Sequence, residues 1–112
     1  LTTRFQEISV LHDGWLGPGS LAPRTDQVAD LVQIQSAFEP ICDTVSVAPA
    51  GDGSIMIEWV RGNVEYTASL EYTGSLVLST EQLDAPSSAH EDEVEYSLDA
   101  LLTFVQNGAR VA

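Results

Sequence analysis

Glu58-Trp59 is the pair of residues with the most chemical promise in this chain. It sits in Ser54 to Val60, where Ile55, Ile57 and Trp59 fall on one face of an alternating strand. The tryptophan then enters the core and the glutamate faces out. A solvated glutamate beside a core tryptophan is the plain account of the pair. The functional account places Glu58 on an open sheet face near Glu65, Glu71 and the hydroxyls of Thr44, Ser46, Thr67 and Ser69. Such a face can receive a partner or a ligand.

Other groupings offer less. His12-Asp13 has the residue types of an acid–base pair, but adjacent side chains seldom face one another, and no motif links them to a nucleophile. His90-Glu91-Asp92-Glu93, with Glu95, attracts cations but lacks the glycine and spacing of a calcium loop. Its simpler reading is a solvated acidic loop in which Glu91, Asp92 and Glu93 can meet a basic partner. Gly17-Pro18-Gly19 follows no strand and precedes no lysine, so it is a poor phosphate cradle. Cys42, the single cysteine, reads as a buried thiol that can form neither an internal disulfide nor a zinc cluster. No catalytic constellation, metal or cofactor is expected. The balance leans away from an enzyme.

The elements that must position these residues follow from periodicity and punctuation. Arg4 to Leu11 reads as a short helix with Phe5, Ile8 and Leu11 on one side. His12 to Pro23 holds three glycines and two prolines, which excludes regular structure. Trp15 and Leu16 are too apolar for a solvated linker, so this loop should pack on the body, with Trp15 plugging one end of the core or presented for recognition. Thr25 is the expected N-cap of a second helix running through Val28, Leu31, Val32 and Phe38 to Pro40. Four strands follow: Thr44 to Pro49, Ser54 to Val60, Val64 to Tyr72, and a fourth through Leu76 and Leu78 to Thr80. In the third, Val64, Tyr66, Ala68, Leu70 and Tyr72 should point inward, with Glu65, Thr67, Ser69 and Glu71 outward. Glu81 to Glu93 reads as a polar loop. A last helix is expected from Val94 to Gln106, stopped by Asn107 and Gly108. The fold class is therefore α+β, a four-stranded antiparallel meander with helices on one face, making one two-layer domain over residues 1–112.

Composition bounds the partners. Seventeen acidic residues oppose four arginines and no lysine, for a net charge of −13, and 44% of residues are apolar. This field repels phosphate backbones and anionic lipid, which disfavours nucleic acid and membrane surfaces. No run of about 18 apolar residues and no basic-then-apolar leader is visible. With one cysteine, the expected compartment is reducing and cytoplasmic. Charge of this kind also serves solubility alone.

Gly14-Trp15-Leu16-Gly17-Pro18-Gly19-Ser20-Leu21-Ala22-Pro23 resembles the opening of a group of small bacterial proteins. They begin with a Trp-x-Gly-x-Gly/Ala loop and a nearby proline, then a helix. A hairpin of the form Asp-Gly-x-[Ile/Val]-x-[Leu/Ile/Phe]-Glu-Trp follows. Here it reads Asp52-Gly53-Ser54-Ile55-Met56-Ile57-Glu58-Trp59. Order and spacing match over residues 10 to 75, and the acidic stretch from Glu81 has no counterpart. The group has no assigned reaction, so the resemblance implies a shared fold and no mechanism.

The leading expectation is a small acidic interaction module for a basic protein, as an antitoxin-like or immunity-like neutraliser or an accessory subunit. Its candidate contacts are Trp15, Glu58, Glu65, Glu71, Glu91, Asp92 and Glu93. A ligand-binding or hydrolytic module using an acidic cleft near the Trp15 loop is the second reading. A homo-oligomer built through the open sheet face or the strand edges is the third.

Overall fold

Alternation of apolar and polar residues in β2 (Ile55–Arg61) and β3 (Val64–Leu70) builds the centre of an antiparallel sheet. β1 (Ser46–Pro49) lies on one side, and β4 (Ser75–Gln82) and β5 (Ala85–Glu95) on the other, in the order β1-β2-β3-β4-β5. The structure, a computed structural model, describes residues 2–41 and 44–107. Cys42, read as a buried thiol, and Gly108, read as a helix stop, lie outside them.

The sheet has five strands, not the expected four. The acidic segment read as a loop is β5, eleven residues long. Polarity hid it. β5 is an edge strand, and its inward positions His90, Asp92 and Val94 are exposed or only half-buried. Such positions carry no apolar alternation to read. α3 accordingly begins later than expected, at Leu98 rather than Val94, and runs to Asn107. Ser97 caps it, its Oγ accepting from the Ala100 N–H at 3.0 Å.

α1 spans Thr2–Ser9, so Leu11 falls in the following loop. α2 spans Thr25–Gln33, with Arg24 at the N-cap position and no side-chain cap bond, so Thr25 is not the cap. The helix expected to reach Pro40 changes at Ile34 into a 3-10 helix, Gln35–Ile41. Pro40 brings no N–H to an α-helical ladder, which suits the tighter turn. Val32, expected on the inner face, lies within α2 and is 46% exposed.

All helices contribute to one apolar cluster on the inner sheet face. Phe5 and Ile8 come from α1, Val28 and Leu31 from α2, Phe38 from the 3-10 helix, and Leu101, Phe104 and Val105 from α3. They meet Val47, Ile55, Ile57, Trp59, Ala68, Leu70, Leu76 and Leu78. Trp59 stacks on Tyr66 with ring centroids 5.6 Å apart, and Phe104 meets both rings edge-on at 5.4 and 6.0 Å. Two expected orientations differ. Tyr72 is exposed because β3 ends at Leu70. Ser69 is buried although it faces outward, because Met56 and Val77 flank it across the sheet.

The β1–β2 turn is held by Asp52. Its carboxylate accepts from the Ser54 Oγ at 2.6 Å and the Ser54 N–H at 3.0 Å, and these bonds hold its pKa below the usual carboxylate value. Gly53 completes the turn at φ 86°, and the Tyr72 ring occupies the space a β-carbon would need.

Candidate functional site

The outer face of the sheet is the surface left bare by the helices, and the register fixes its pattern. One row across all five strands reads Ser46, Glu58, Thr67, Ser79, Glu91. The next reads Ala48, Met56, Ser69, Val77, Glu93. On the other side, Val60, Glu65 and Glu81 face one another in turn, and Glu95 lies opposite Ser75. Directly opposed side chains sit about 5 Å apart at Cβ. Glu65 and Glu81 therefore form a like-charge pair with no cation between them among the described residues.

A shallow cavity of about 260 Å³ opens here, lined by Glu65, Thr67, Ser79, Thr80, Glu81, Ala89, His90 and Glu91. Three carboxylates and neighbouring hydroxyls can accept an ammonium or guanidinium group. Met56, 41% exposed, adds apolar area to the same face in the row of Ala48, Ser69 and Val77.

The described arginines are all committed elsewhere. Arg4 Nε donates to the Val47 carbonyl at 2.6 Å, and its Nη1 meets Glu7 at 3.1 Å. Arg24 pairs with Asp26 at 2.8 Å, and its hydrogen bonds hold that carboxyl below the usual carboxylate range. Arg61 donates to the carbonyls of Gln106 and Val105 at 2.9 and 3.2 Å, at the C-terminal end of α3. None faces the outer sheet surface. Arg110 lies outside the described residues.

The candidate residues divide accordingly. Glu58, Glu65, Glu91 and Glu93 share the outer face. Glu71 follows β3 at its margin, where its Oε1 accepts from the Ser69 Oγ at 3.3 Å. Asp92 is opposite Leu78 and so on the inward side, paired with His90 at 3.1 Å. Trp15 lies at the β1 edge, lining a cleft with Ala48 and Pro49, and is half-buried, its Nε1–H donating to the Leu21 carbonyl at 2.8 Å. The cleft beside it, about 400 Å³, holds one carboxylate, Glu7, already paired with Arg4. Asp13 is structural: its Oδ1 accepts from the Ala22 N–H at 3.0 Å and closes the loop. Sequence reasoning missed Glu81 on the acidic face, and named Glu95 only with the run His90 to Glu93, not as part of the sheet. Extending the two-residue alternation of Leu76 and Leu78 through Thr80 places Glu81 outward, which is the signal that would have found it.

Among the described residues no group of three or more His, Cys, Asp or Glu side chains is arranged to hold a metal ion. No described helix is long and apolar enough to cross a membrane. The class these features define is an α+β protein whose helices cover one face of an antiparallel sheet and whose other face is acidic. No protein-family model, no curated protein and no solved structure matches the chain.

Proposed function

We propose that this protein is an interaction module whose outer sheet face receives a basic protein, which it neutralises or accompanies as an accessory subunit. The observation that carries the reading is the separation of charge. Six glutamates in register (Glu58, Glu65, Glu81, Glu91, Glu93 and Glu95) share one face. Arg4, Arg24 and Arg61 are all bonded to groups elsewhere. Glu58, Glu65 and Glu91 make no hydrogen bond or ion pair among the described residues, so their carboxylates are available to a cationic partner. A surface of one sign steers an oppositely charged partner and speeds encounter.

The test is capture of an identified basic protein from the producing cell at low ionic strength, followed by association kinetics with the purified pair. A variant carrying Glu58→Gln, Glu65→Gln and Glu91→Gln should associate about tenfold more slowly, and added salt should slow the native protein similarly. Recovery of no basic protein, or one that binds the triple variant equally fast, overturns the reading.

A further inference from the structure

The two edges of the sheet are treated differently by the fold. β1 has four residues, ends in Pro49, and has its Val47 carbonyl occupied by Arg4. β5 has eleven residues and, among the described residues, no strand beyond it.

Hydrogen-bond parity shows what β5 presents. The Tyr96 N–H donates to Gly74 O, and the Glu71 N–H donates to Ser75 O, both at 2.9 Å. In an antiparallel ladder, residues alternate in which side their N–H and C=O groups face. His90, Asp92 and Val94 therefore direct their backbone groups toward β4. Glu91, Glu93 and Glu95 direct theirs toward the open edge, with their side chains on the outer face. The same three residues offer unpaired main-chain donors and acceptors together with a row of negative charge. Three glutamates spaced two apart repel a second copy of the same strand, the usual protection of an edge against self-pairing. They match an extended segment with Lys or Arg at every second position.

We propose that the basic partner docks by adding a strand of this kind antiparallel to β5, its main chain bonded to Glu91, Glu93 and Glu95 and its cations lying over their carboxylates. This rests on the reading of the protein as a module for a basic partner, and specifies how the partner is held.

The test uses an acetylated, amidated decapeptide of alternating Lys and Thr, and the same peptide with every Lys backbone amide nitrogen methylated. Charge is identical in both, but the methylated form cannot donate along its lysine edge. The unmodified peptide should bind at least about tenfold more tightly and slow amide exchange at Glu91, Glu93 and Glu95 by a comparable factor. Ala89→Pro, which leaves the charge unchanged on the same edge, should weaken the unmodified peptide alone. Equal binding of both peptides without that protection overturns strand addition and leaves the basic-partner reading standing. Binding of neither overturns both. Protection at these amides in the peptide-free protein that grows with its concentration places a second copy on the edge and overturns the proposal.

Discussion

Tyr96 ties the end of β5 to α2, its hydroxyl donating to Asp30 Oδ2 at 2.6 Å. Burial, then the bond to Asp30, pushes its pKa well above the ordinary tyrosine value. The folded state thus holds this proton more tightly than the unfolded chain does. The resulting stability is fully present below the unfolded value of about 10 and is lost as pH rises toward the folded one. Tyr96→Phe should cost about 1 kcal/mol at neutral pH, measured by urea denaturation. It should also flatten the alkaline fall in stability above about pH 10, which a pH series of the same measurement reads. An unchanged alkaline slope would assign that fall to other groups. Tyr96 was legible only as a residue near a helix start. Its partner is 66 positions away, and no local pattern reports such a bond.

The β4–β5 hairpin and α3 meet at Ser97, and the prediction at this scale concerns that junction. Ser97→Ala removes the bond to the Ala100 N–H and should cost about 1 kcal/mol, with Ser97→Asp retaining most of it. Thermal unfolding of both variants decides this, since a merely helix-lengthening effect would not separate them. β2 and β3 were legible because one of their faces lies on the helices: Ile55, Ile57, Trp59, Ala68 and Leu70 are all buried there. β5 was not, because burial selects sequence and its inward positions lie where little covers them. The shift of α2 into a 3-10 helix was hidden for another reason. Val28, Leu31 and Phe38 fit a single helical face, and the two helix types differ by little over one turn. The site was half legible. Alternation placed Glu58 and Glu65 outward, but only register shows which strands bring glutamates opposite one another.

Across the whole molecule, the net charge of −13 is a standing stress on the folded state. The pair Glu65 and Glu81 is its sharpest local expression, since like charges directly opposed on a sheet oppose pairing. Glu81→Gln should stabilise the protein by a few tenths of a kcal/mol, on the order of one cross-strand pair. Its gain should shrink as salt approaches about 0.15 M, where exposed charges are screened over about 8 Å. Melting temperatures of the native protein and the variant, each at low and high salt, check this. A gain that salt leaves untouched would point to packing.

The Arg4–Val47 contact has a consequence for stoichiometry. A sheet with two open edges is divalent and can polymerise, each added strand exposing a new site for the next. Here Arg4 and Pro49 close one side, so the chain is monovalent for strand addition. Strands can then be added to this sheet only beyond β5, so any growth through this chain runs in one direction.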